Sequence, residues 1–169
     1  MMKINMTSPR IILARAALVF SASVSCIRSK LAMNKLCWMV KSEPESYAWE
    51  QFVQDGTTAW TGVRNFAARL HLKAMSKGDK VLFYASMGPK SVVGTAMVTK
   101  TAFPDPTADE PGWVAVELKA GKAFHRPVTL AEIKAQPSLA QMQLIRQSRL
   151  SVAPVTAQEF AQILAMGSK

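Results

Sequence analysis

Side chains able to grip a ligand gather in three short stretches of this sequence: Trp38-Met39-Val40-Lys41-Ser42-Glu43-Pro44, Trp60-Thr61-Gly62-Val63-Arg64-Asn65 and Leu82-Phe83-Tyr84-Ala85-Ser86. Each stretch puts polar groups where a strand should end or a helix begin, positions from which a rigid scaffold can present them to a bound molecule. Groups that make or break bonds do not occur in their usual arrangements. The chain has no GxSxG turn, no GxxxxGK[ST] phosphate loop and no GxGxxG after a strand. His71 and His125 stand in different segments, without HExxH or Cys-His spacing, so surface or structural roles are expected of both. Asp105 and Asp109 could form an acid pair in a proline-rich loop, but ordinary loop solvation is the expectation. Neither a cofactor nor a metal site is expected.

The elements that must position these groups follow from periodicity. Leu36 to Lys41 alternates, with Leu36, Trp38 and Val40 on one side, as a half-buried strand requires. Pro44 stops it, Ser46 can cap a helix carrying Trp49, Phe52 and Val53, and Gly56 closes that helix. Thr57 to Trp60 is extended, and Gly62 permits a sharp turn into a helix from Asn65 to Met75 with Phe66 and Leu70 on its buried face. After the Gly78-Asp79 turn, Val81 to Ser86 and Val92 to Lys100 read as a hairpin. Pro104, Pro106, Pro111 and Gly112 make a rigid loop, followed by strands from Trp113 to Lys119 and from Ala123 to Val128. Thr129 with Glu132, and Thr156 with Glu159, are capping boxes that start helices at Leu130 and Ala157. Between those helices Leu150 to Val155 should be the last strand, and Phe160, Ile163 and Leu164 should pack the last helix on the core. Trp38, Trp49 and Trp113 are assigned to the core. The pattern predicts an α+β protein with a curled, partly closed sheet of about five to six strands.

Length and charge bound the answer without choosing it. A chain of 169 residues that is 49% hydrophobic fits one folded domain. Its formal charge is +10, yet Lys3, Arg10, Arg15, Arg28 and Lys30 all precede the first acid, Glu43. The rest therefore carries 16 basic against 11 acidic side chains, an excess that suits an anionic partner or simply a solvated basic surface. Cys26 and Cys37 are the only cysteines, so no disulfide framework is expected, and a reducing, cytoplasmic setting fits. Residues 1–32 read as a separate leader: Arg15 interrupts the apolar stretch from Ile11 to Val24, too short to span a membrane. The reading taken is that translation begins at Met33 and the leader is a poorly ordered upstream extension; a mitochondrial transit peptide is the alternative.

The three stretches, together with Arg146-Gln147-Ser148-Arg149-Leu150-Ser151-Val152, resemble the EVE domain family. The likeness runs from Leu36 to about Leu164, with the blocks in order, and extends to connecting words such as Asp55-Gly56-Thr57-Thr58 and Pro127-Val128-Thr129-Leu130. It implies that residues 33–169 are an EVE domain with a PUA-like pseudo-β-barrel flanked by short helices, related to YTH and ASCH domains. It further implies a non-catalytic reader of DNA or RNA that holds a flipped, chemically modified base in an aromatic-lined pocket, with no membrane or metal partner.

Under that resemblance the residues take roles. A flipped base offers a flat π face and a polar edge, so Trp60 and Tyr84 are assigned as walls and Ser42, Glu43 and Asn65 as edge readers. Lys41, Arg64 and Arg69 are assigned to flanking phosphates, with Arg146 and Arg149 extending that surface. Each has a plainer reading: core aromatics for Trp60 and Tyr84, a turn cap for Ser42, a helix cap for Asn65, carboxylate pairing or solvation for Glu43 and the arginines. Where relatives typically follow Arg-Asn with tyrosine, glutamine and later asparagine, this chain has Phe66, Ala67 and Leu70, and Ala85 replaces a frequent histidine. The pocket is then expected to suit a different or less polar base, or to contact the backbone less. Two other functions stay open: an enzyme acting on a nucleotide or modified base with Glu43 as acid or base, and a protein-interaction module with a vestigial pocket.

Overall fold

Strand β1 (Cys37–Ser42) shows how the sequence builds two cores at once. Successive side chains of a strand point to opposite faces. Trp38 and Val40 therefore enter one buried cluster, while Cys37 and Met39 enter another on the other side of the sheet. The half-buried strand expected from Leu36, Trp38 and Val40 is thus corrected, since both faces of β1 are covered and Leu36 itself is half exposed. In this computed structural model, residues 36–88 and 90–168 are described. The expected leader, 1–32, lies outside them.

The remaining elements in chain order are α1 (Trp49–Asp55), β2 (Thr57–Trp60), α2 (Phe66–Ala74), β3 (Lys80–Ala85), β4 (Ser91–Pro104), β5 (Val114–Thr129), α3 (Leu130–Ala135), a 3-10 turn (Pro137–Leu139), α4 (Gln143–Arg146), β6 (Val152–Val155) and α5 (Ala157–Gly167). The strands form one six-stranded sheet in the order β2-β5-β4-β3-β1-β6. Among the described strands only β1 and β3 pair in parallel, which is why α1, β2 and α2 intervene between them as a crossover. The expected α+β class and strand number hold. The sheet is not closed into a barrel: β2 and β6 are its two edges.

Helices α1 and α2 cover one face over Trp38, Phe52, Trp60 and Phe83; α3, α4 and α5 cover the other over Met39, Tyr84, Ile133 and Ile163. Fully burying one such large apolar side chain contributes about 1.5–3 kcal/mol. Both expected capping boxes form, with the hydroxyls of Thr129 and Thr156 accepting from the amides of Glu132 and Glu159. On the first face the indole of Trp38 donates to Asp79, at 2.9 Å, which places that carboxylate under the turn before β3.

Several boundaries moved. The two strands expected within 113–128 are one, β5, because β4 and β5 stay paired through register shifts between Gly94 and Ala96 and beyond. Gly121 sits in that irregular stretch, and a Cβ there would lie 2.7 Å from the carbonyl oxygen of Thr95. The last strand begins only at Val152. Helix α2 buries Ala68 and Leu72, whereas Phe66 and Leu70, expected inside, are 67% and 63% exposed. Residues 66 and 70 share a face by helical geometry, as do 68 and 72, and the face bearing the small Ala68 is the one seated on the sheet. Val53 and Leu164 are likewise partly on the surface, and Trp113, expected in the core, belongs to neither buried cluster.

Candidate functional site

A cleft of about 650 Å³ opens where the end of β1 meets β2 and the turn that follows it. Its walls come from Lys41, Ser42, Glu43, Ser46 and Tyr47 on one side, from Thr58 to Asn65 on the other, and from Ser151 at the rim. The β1 side is shaped by a tight turn: the amides of Ser46 and Tyr47 both donate to the carbonyl of Glu43. The hydroxyl of Ser42 donates to the Tyr47 carbonyl at 2.7 Å, and the Ser42 carbonyl accepts from the Ser86 hydroxyl and amide. Ser42 is therefore a buried brace, and toward a ligand its oxygen can only accept.

Trp60 ends β2 and is 8% exposed. Its ring meets Tyr47 edge-on at 6.3 Å, Phe52 at 6.5 Å and Phe83 at 5.8 Å, so most of the indole belongs to the core while part of it lines the cleft. Both the core and the pocket reading of Trp60 thus describe the same side chain. Tyr84, the second expected wall, is elsewhere. Phe83 faces Trp60, so the next residue along β3 must point to the opposite face, where Tyr84 is buried with Met39 and Val92. The cleft's second aromatic is Tyr47. Burial raises its phenol pKa, helped by a 2.6 Å hydrogen bond to Asp55, so the hydroxyl stays protonated at neutral pH.

The turn after β2 is held by a residue from far along the chain. Gly62 adopts φ +76°, a conformation suited to glycine, and its amide donates to Asp105 at 2.9 Å. Arg64 donates to the same carboxylate at 2.7 Å and to the carbonyl of Thr107 at 2.7 Å. Burial alone would raise the Asp105 pKa; the hydrogen bonds from Arg64, Thr107 and Gly62 outweigh it and lower the value to about 2. The loop solvation expected of Asp105 is corrected: the carboxylate is fully buried and organises the cleft wall. No local pattern could show this, because 43 residues separate it from Gly62.

The other assigned residues divide. Asn65 caps α2 by accepting from the Ala68 amide, and its NH₂ group remains exposed at the cleft mouth. Glu43 is exposed at the rim, without an ion pair among the described residues. Lys41 donates to the carbonyl of Ser148 at 2.8 Å, which ties the loop before β6 to the cleft, and partial burial lowers its pKa. Arg64 is engaged by Asp105 and Thr107 as described. Arg69 does not line the cleft; its guanidinium lies 4.9 Å from the Phe66 ring and 5.0 Å from that of Trp113. Arg146 donates to Gln141, and Arg149 is exposed on the loop between Ser148 and Ser151. Ser42, Glu43, Trp60, Asn65, Lys41 and Arg64 are thus brought together, and Tyr84, Arg69, Arg146 and Arg149 are not.

The chain has the same domain as a known group of proteins. A family model described as "EVE domain" matches residues 36–166. The chain belongs to the EVE domain family. It is 30% identical over 183 residues to human "Thymocyte nuclear protein 1", across 88% of this chain and 80% of that protein. Among solved structures, an NMR structure from Rhodopseudomonas palustris is 48% identical at a TM-score of 0.74, covering 78% of this chain and 92% of that one. The human THYN1 protein in complex with 5-methylcytosine containing DNA is 30% identical at a TM-score of 0.73, covering 79% of this chain and 98% of that one. In this EVE domain the edge strand β2 and the turn held by Asp105 form one lip of the cleft, and the Ser42 to Tyr47 turn forms the other.

Proposed function

We propose that this EVE domain binds nucleic acid and holds one flipped, chemically modified base in the cleft between Tyr47 and Asn65, without catalysing a reaction. The observation that carries this is the cleft itself. Its volume of about 650 Å³ falls in the range of ligand-holding clefts, about 300–1,000 Å³. Aromatic surface from Trp60 and Tyr47 lies within it beside the free amide of Asn65 and the free carboxylate of Glu43, which is the pairing of flat wall and polar edge that a base requires.

The complex of human THYN1 with 5-methylcytosine containing DNA, at 30% identity, supports DNA as the polymer and a methylated pyrimidine as the first base to try. The departures at Phe66 and Leu70 do not thin out the cleft's polar groups, because both side chains point to solvent outside it. Glu43 stands exposed, not in the desolvated setting that the acid–base reading of this residue required, which favours a binding role for it. The test is a titration of the full chain with matched oligonucleotides, with and without 5-methylcytosine, at low and high salt. Preference for the methylated strand that persists as salt rises supports base recognition, while equal affinities that collapse together with salt would reduce the interaction to phosphate attraction.

A further inference from the structure

An exposed aromatic surface adjoins the cleft without being part of it. Phe66, the residue after the cleft-lining Asn65, is 67% exposed, and its ring centre lies 5.2 Å from that of Trp113. The guanidinium of Arg69 sits against both rings, and that of cleft-lining Arg64 lies 5.8 Å from Trp113. Leu70, one turn further along α2 and 63% exposed, extends the apolar surface. Burying Phe66 against the sheet was open to the helix, since Ala68 and Leu72 show that the sheet accepts side chains from α2, but α2 turns that face away.

We propose that Phe66 and Trp113 form a stacking platform for the base next to the one held in the cleft, so that the recognised ligand is a single-stranded segment and not an isolated base. This rests on the base-holding reading of the cleft. Three observations combine here. Phe66 is bonded directly to cleft-lining Asn65, with Cα atoms about 3.8 Å apart, so its exposed ring begins one residue from the cleft mouth. An exposed ring offers any base a π face, a sequence-tolerant mode of single-strand binding. The charge also suits a phosphodiester: Asp105 neutralises Arg64, whereas Arg69 has no acidic partner among the described residues and rests beside both rings. A neighbouring base still paired in a duplex would keep its faces inside the stack and could not use the platform.

The experiment compares full-length wild type with Phe66→Ala and Phe66→Trp. The probes are a short single-stranded DNA carrying one central 5-methylcytosine, its unmethylated counterpart, and free 5-methyl-2′-deoxycytidine. Phe66→Ala should weaken both oligonucleotides by about five- to a hundredfold and leave the free nucleoside's affinity unchanged, with Phe66→Trp restoring oligonucleotide binding. Phe66 is exposed, so the alanine variant should keep the wild-type melting temperature within a few degrees. Oligonucleotide affinities unchanged in Phe66→Ala would overturn the platform and leave the surface to a protein partner. Failure of the cleft reading looks different: methylated and unmethylated strands would bind alike and the nucleoside not at all, while the loss in Phe66→Ala would persist.

Discussion

Arg64 and Asp105 are 41 residues apart in sequence, and their side chains meet at 2.7 Å behind the turn that forms one lip of the cleft. The carboxylate also accepts the Gly62 amide, so a single buried group fixes both the backbone and the guanidinium of that lip. Buried carboxylates are retained when their lone pairs are filled, and this one receives hydrogen bonds from Arg64, Gly62 and Thr107.

Asp105→Ala should therefore destabilise the domain by about 2–4 kcal/mol, because the Gly62 amide loses its partner and the Arg64 charge its counter-ion. Asp105→Asn should cost less. The folded pKa of about 2 lies below the ordinary 3.8, so this contribution is fully present above pH 3.8 and is lost as pH falls from there towards 2. Because Arg64 is partly exposed, the pH-dependent part is on the order of 1 to 2 kcal/mol. Denaturant titrations between pH 5 and 2, the solution range to be scanned, should show a shallower loss of stability in Asp105→Asn than in wild type. Parallel curves would remove Asp105 from that role.

Trp60 contacts the core on three aromatic edges, so Trp60→Ala should lower stability by about 3–5 kcal/mol before any question of binding arises. Trp60→Phe should be milder. Thermal melting of both variants checks this, and an alanine variant as stable as wild type would show that the indole is not a core element.

Asn65 has two functions that substitution can separate. Its oxygen caps α2, and its NH₂ is free for a ligand. Asn65→Ala should lose about 1 kcal/mol of stability, whereas Asn65→Ser keeps a capping oxygen, adds no charge and should melt close to wild type. If the amide reads a base edge, both variants should bind the 5-methylcytosine oligonucleotide about tenfold more weakly. Weakened binding in Asn65→Ala alone would assign the effect to the cap.

How far the sequence could be read depended on whether each signal was local. Capping at Thr129 and Thr156 and the turn glycines are short-range patterns, and the elements they bound are present; the strand read at β1 is present too, although both its faces are buried. The cleft residues Ser42, Glu43, Trp60 and Asn65 were legible because they sit at the ends of elements. Tyr84 was misplaced because its neighbour Phe83 takes the face towards Trp60, and which of two successive strand aromatics faces a site depends on the sheet around them. Phe66 and Leu70 followed a valid helical period on the wrong face: 68 and 72 obey the same period, and only packing chooses between them. Tyr47 and Asp105 carry no local mark of their roles, since one lines the cleft through a turn and the other arrives from a distant loop.

Whether a base occupies the cleft is tested most directly by Thr58→Trp. Thr58 stands two residues before Trp60 on the edge strand β2, so its side chain is on the same face, and it lines the cleft; the added indole should fill that space, and aromatic residues suit strands. Measured by titration with the 5-methylcytosine oligonucleotide, the variant should melt within a few degrees of wild type and bind at least about tenfold more weakly, the loss of roughly one stacked base. A folded Thr58→Trp protein with undiminished affinity and undiminished preference for the methylated strand would contradict a base in the cleft.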